Sequence, residues 1–152
     1  LGDNVFEQIN KDLTESMKAK DTFRTSVLRM LKSAIIYEKT NGEKHELTDE
    51  DILSIIKKQV KMRKSSVEEY ISYNRQDLAD SLEKEIELLN TYLPKELSED
   101  EINKIIDEAI KEINPDGMKG MGLVIKAVKE KCGVSADMTY VSKTVKEKLS
   151  NL

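Results

Sequence analysis

The ten residues Tyr92-Leu93-Pro94-Lys95-Glu96-Leu97-Ser98-Glu99-Asp100-Glu101 end one helix and begin another, and they divide the chain into unequal parts. Proline pushes the residue before it out of the α region, so the preceding helix must close by Leu93. Ser98, followed three places later by Glu101, is a capping box that opens the next helix. Both flanks read as helix. Only two Pro and six Gly interrupt 152 residues, aromatics make up 5%, and no strand-rich stretch is present. The pattern predicts an all-α protein: a four-helix antiparallel arrangement over residues 3–93, then a small three-helix tail over residues 97–152.

In the first part, Phe6, Ile9, Leu13 and Met17 recur at helical spacing behind an Asp3 cap, which predicts a helix over about Asn4 to Lys18. A second runs from about Thr22 to Thr40 on Val27, Leu28, Leu31, Ala34 and Ile35, with Asn41-Gly42 as its stop. Glu43 to Leu47 reads as a polar loop. Thr48 with Asp51 opens a long third helix that carries Ile52, Ile55, Ile56, Val60, Val67, Tyr70 and Ile71 and ends near Tyr73. Asn74 with Asp77 repeats the capping pattern before a fourth, whose seam is Leu78, Leu82, Ile86, Leu89 and Leu93. In the tail, Ile102, Ile105, Ile106, Ala109, Ile110 and Ile113 form a dense stripe, and Asn114-Pro115-Asp116-Gly117 marks a turn. Met121, Val124, Ile125 and Val128 form a sixth helix that stops at Cys132-Gly133; Val141, Val145 and Leu149 form a seventh behind Asp137.

A tail of about 60 residues would bury only ~60% of the surface its unfolded chain exposes, so it is expected to lean on a neighbour or a partner. The lone Cys132 cannot close an internal disulfide, no apolar run approaches the ~20 residues that span a bilayer, and a reducing cytoplasm is the expected compartment. Leu1-Gly2-Asp3 has neither an initiator Met nor a signal region and is taken as a trimmed end. Net charge is −4, which argues against indiscriminate coating of nucleic acid. The charge is unevenly placed: from Pro94 to Met118 three Lys stand against eight Asp/Glu, and from Lys119 to Leu152 seven Lys stand against three. A basic terminus on an acidic chain can still bind phosphate locally.

Gln59-Val60-Lys61-Met62-Arg63-Lys64-Ser65-Ser66, Asn74-Arg75-Gln76-Asp77-Leu78, and Tyr92-Leu93-Pro94 with Leu97-Ser98-Glu99 together resemble the YqeY family of small bacterial helical proteins, along essentially the whole chain. From Tyr92 onward the sequence is also similar to the C-terminal tail of the B subunit of the tRNA-dependent amidotransferase. The resemblance implies an all-helical protein of two parts, with a tail related to one that contacts tRNA while a mischarged aminoacyl-tRNA is amidated with glutamine-derived ammonia. It does not imply that this chain does the chemistry, because the phosphate-activating body of that enzyme is absent. A carbon–nitrogen ligase label would be inherited from the tail. The expected partners are tRNA and an amidotransferase or synthetase component. Two positions depart from the tail's pattern: Met121-Gly122 is followed by Leu123-Val124-Ile125-Lys126 where relatives read Met-Gly-Lys-Val-Met-Gly, and Asp137-Met138 stands where relatives have Asp-Gly.

Local chemistry supplies the candidate contacts. Lys119, Gly120 and Gly122 precede the sixth helix, where small residues let backbone N–H groups approach a phosphate, although turn formation and close packing explain the glycines equally well. Lys126, Lys129, Lys143 and Lys146 add positive charge, and Tyr140 is the one aromatic placed to stack on a base. A second basic stripe, Lys57, Lys61 and Lys64, lies opposite the apolar stripe of the third helix and reads equally as a solvated face. Arg63 falls on that apolar stripe beside Gln59, and Arg24 lies on the stripe of the second helix with Glu38 two turns beyond Leu31. Such guanidinium groups need partners, so Arg24, Gln59, Arg63 and Arg75 are expected to fix register or hold an anion. For catalysis, His45 has no second His and Cys132 no adjacent base, so no catalytic residue, metal ligand set or cofactor is expected. The alternative to an RNA-binding accessory module is a helical protein–protein adaptor that uses the acidic fifth helix and exposed apolar seams.

Overall fold

The computed structural model describes residues 4–41 and 46–152, and every regular element among them is helical. The α-helices are α1 (Asn4–Lys18), α2 (Thr22–Thr40), α3 (Asp49–Ser72), α4 (Gln76–Asn90), α5 (Glu99–Ile113), α6 (Met121–Cys132) and α7 (Met138–Ser150). Short 3-10 turns at Gly117–Gly120 and Gly133–Ser135 flank α6. The Asp3 cap, the Gly42 stop and His45 lie outside the described residues. The chain divides into two compact units, Leu1–Leu93 and Pro94–Leu152, each with its own core.

In the first unit α1 pairs with α2, α3 pairs with α4, and α1 and α2 both pack on α3. The core joins Ile9, Val27, Leu31, Ile35, Ile52, Ile56, Val60 and Leu89, and burial of each large aliphatic side chain stabilises by roughly 1.5–3 kcal/mol. Both halves of the Thr48 capping box form: Asp51 N–H donates to the Thr48 hydroxyl and the Thr48 N–H to the Asp51 carboxylate. Asn74 departs from its expected role. It sits at φ +58 in the turn after α3, a left-handed position that asparagine tolerates, and the residue that precedes α4 is Arg75, with no side-chain cap. On α1 the inner row is Ile9, Asp12, Leu13 and Ser16, while Met17 is exposed. Polar residues can hold two of those places because both are hydrogen-bonded, as described below.

In the second unit α5, α6 and α7 pack against one another around Ile102, Ile106, Val124, Val128, Val141, Val145 and Leu149. Ser98 and Glu101 complete their capping box, and Leu97 N–H donates to Ser135 O at 2.9 Å, which ties the entry of α5 to the turn before α7. Asn114, at φ +50, closes α5. Gly120 is buried, and a Cβ there would lie 2.2 Å from Pro115 Cβ, so glycine is required by a close approach of backbone to proline. Asp137 caps α7 by accepting from Thr139 N–H at 2.9 Å.

Candidate nucleic-acid interface

The seven lysines from Lys119 onward divide by whether an acid of α5 pairs with them. Lys131 reaches Glu108 at 3.5 Å and Lys148 reaches Asp107, so both are spent on α5. Tyr140 also turns to α5: its hydroxyl donates to Asn103 Oδ1 at 2.7 Å and its half-buried ring packs on the core. Its ring thus contributes to packing, and its hydroxyl is held by α5. Tyr140, Thr144 and Lys148, at i, i+4 and i+8, share the flank of α7 that meets α5; Lys143 and Lys146 are both exposed, opposite the buried Val141 and Val145. On α6 the buried row Val124, Val128 and Cys132 separates Lys131 from Gly122, Lys126 and Lys129, which recur at i, i+4 and i+7 and are exposed.

Gly122, Lys126, Lys129, Lys143 and Lys146 are all exposed on α6 and α7. Among the described residues none of the four lysines makes an ion pair, so their charge is available to solvent or to a ligand. Lys119 is exposed in the turn before α6, whereas Gly120 is held against Pro115. A Cβ at Gly122 would meet nothing within 4 Å, so the start of α6 is open there.

The stripe arginines do not form one cluster. Arg63 is buried and each of its three guanidinium nitrogens is engaged: Nε donates to Glu85 at 3.2 Å, Nη1 donates to Gln59 Oε1 at 2.9 Å and to Gln59 O at 3.2 Å, and Nη2 lies 3.0 Å from Met30 Sδ. It bolts α2, α3 and α4 together. Arg24 faces Asp12 at 3.8 Å, and Asp12 also accepts from Gln8 at 2.8 Å and from the Tyr92 hydroxyl at 2.5 Å. Burial and the bond to Asp12 push the Tyr92 hydroxyl well above its ordinary range. Nearby, Ser16 donates to Leu13 O and shares a 2.8 Å bond with Thr25. Glu38 is exposed and joins neither network. Arg75 pairs with Asp77 at 3.1 Å in the turn before α4; that bond raises the Arg75 pKa and lowers that of Asp77. Of the second basic stripe, Lys57 is half-buried, Lys61 and Lys64 are exposed, and Lys64 lines a groove between α3 and α4 together with Glu68, Glu83 and Glu87.

Sequence reading missed Asp12, Glu85 and Tyr92 as partners of these cations. The signal for Asp12 was present, since it stands three places after Ile9 and four before Ser16 on the inner row of α1. Nothing local marks Glu85 among the acids of α4. Among the described residues no group of three or more His, Cys, Asp or Glu could hold a metal ion, and no helix is long and apolar enough to cross a membrane.

The fold is thus that of an all-helical protein of two compact units, the smaller one carrying exposed lysines on α6 and α7. A family model for YqeY-like proteins matches residues 6–149, and the chain belongs to the YqeY family. An uncharacterized protein of Schizosaccharomyces pombe is 35% identical over 95 residues, 62% of this chain and 76% of its own length. The mitochondrial protein called altered inheritance of mitochondria protein 41 is 27% identical in Pyrenophora tritici-repentis over 94% of this chain and 80% of that one. Its Candida glabrata namesake is 36% identical over 62% of this chain, a span that covers 52% of that protein. These relatives are fungal and two are mitochondrial by name, so they lend no support to a bacterial or cytoplasmic assignment.

Proposed function

We propose that this protein is an RNA-binding accessory module whose tail contacts tRNA through the α6 and α7 face. The observation that carries the reading is the sorting of the lysines: Lys131 and Lys148 pair with acids of α5, while Lys126, Lys129, Lys143 and Lys146 are exposed on α6 and α7 and make no ion pair among the described residues. Phosphate contacts by four lysines would release about four counterions and give affinity a log–log salt slope of about −3. Lys119 and the open backbone at Gly122 extend the same surface. An aminoacyl-tRNA amidotransferase or synthetase component is the protein partner that fits this role, and no autonomous ligase activity is assigned. The single buried Cys132 suits any reducing compartment; the cytoplasm is one such place, the relatives' names favour mitochondria, and cell fractionation decides between them.

The test is fluorescence anisotropy of labelled tRNA against the full chain over a salt series. Charge reversal of Lys126, Lys129, Lys143 and Lys146 to Glu is expected to abolish binding with an unchanged helical circular dichroism spectrum. Unchanged affinity in that variant sinks the proposal. A protein adaptor is the second reading, favoured by Phe23, Met30 and Tyr37, which recur every seven residues on one face of α2 and are 42%, 50% and 62% exposed. Partners that survive nuclease treatment of a pull-down favour the adaptor.

A further inference from the structure

On the first unit, α3 and α4 leave an open groove of about 510 Å³ between them. Its floor is apolar, formed by Val67 and Ile86, with Asn90 at one side. Its rim carries three carboxylates, Glu68, Glu83 and Glu87, against one ammonium, Lys64. None of those three acids makes an ion pair among the described residues, in contrast to Glu85, which is turned the other way to Arg63. We infer that this groove is a docking site for a basic amphipathic helix of a partner protein, which seats one bulky aliphatic or aromatic side chain on Val67 and Ile86 and sets lysines or arginines against Glu68, Glu83 and Glu87.

Charge selects the occupant. Three rim carboxylates repel a phosphate backbone, so nucleic acid is excluded from the groove even though α3 carries a lysine stripe beside it. An acidic or purely apolar helix would leave those carboxylates facing like charge or no counter-charge, whereas a basic one satisfies them at the rim and steers its own approach. The space suits an anchor residue of Leu, Met or Phe, in the manner of helix-in-groove recognition.

The experiment uses the full chain and, as probe, a labelled amphipathic peptide built of leucine and lysine at helical spacing, followed by anisotropy and by amide chemical shifts. Shifts concentrated at Glu68, Glu83, Ile86, Glu87 and Asn90 are expected, with binding weakened about tenfold or more by the Glu83→Lys, Glu87→Lys double variant. The control Glu15→Lys, Glu38→Lys changes net charge equally at exposed sites outside the groove and is expected to bind as the parent does. A third variant, Ile86→Ala, keeps the charges and is expected to weaken binding by removing the apolar seat. Equal weakening in the charge control, or shifts concentrated on the acidic first turn of α5, would overturn the site as non-specific attraction. Concentration-dependent shifts at the groove in the chain alone, with a dimer in sedimentation, would overturn the foreign partner in favour of a second copy.

Discussion

Arg63 illustrates how a charge at a core position becomes an asset only through its partners. Its helical position announced that a guanidinium would face the core, but Glu85, Gln59 and Met30 come from three different helices. Replacing Arg63 with Met leaves Glu85 half-buried and unpaired, and urea denaturation is expected to show a loss of about 2–3 kcal/mol. Adding Glu85→Gln should recover part of it, since the uncompensated charge is then gone. Tyr92 gives a prediction in pH. Its folded pKa lies above the ordinary value near 10.0, chiefly through burial and then through its bond to Asp12. The unfolded chain therefore loses the proton first as pH rises. The stabilisation is fully present below pH 10 and is lost above it, so the stability gap between the parent and Tyr92→Phe is expected to shrink as pH climbs beyond about 10 in alkaline urea titrations.

At the scale of elements, caps and stops were legible because they are local. Thr48 with Asp51 and Ser98 with Glu101 form the expected boxes, and Asp137 caps α7. Asn74 was misjudged because one residue type serves two ends: the same asparagine that caps an N-terminus also accepts the left-handed geometry that ends a helix. The turn into α6 separates its glycines sharply. Gly120→Ala is expected to cost about 2 kcal/mol or more, because its Cβ would collide with Pro115 and the backbone must shift. Gly122→Ala, with open space around it in the first turn of α6, is expected to gain about 0.5 kcal/mol. Thermal or urea unfolding of the two variants checks the pair, and equal effects would remove the distinction between a packing glycine and an open one.

For the molecule as a whole, the two units carry separate cores, one built on α1 to α4 and the other on α5 to α7. Ile106→Ala is expected to cost about 3 kcal/mol and to raise amide exchange across α5, α6 and α7 while leaving α1 to α4 protected. Exchange that rises equally in both units would mean one cooperative body. The sequence by itself determined the helical class, most helix limits apart from the start of α4, and the break at Pro94, because periodicity, capping and the proline rule act over a few residues. It also placed the tail's positive charge, but not the use made of it. Only the tertiary structure separated Lys126, Lys129, Lys143 and Lys146 from Lys131 and Lys148, turned Tyr140 inward, and gave Arg63 and Arg24 different carboxylates. Those outcomes depend on which helix flank meets which neighbour, a relation between residues up to 41 positions apart that local spacing does not contain.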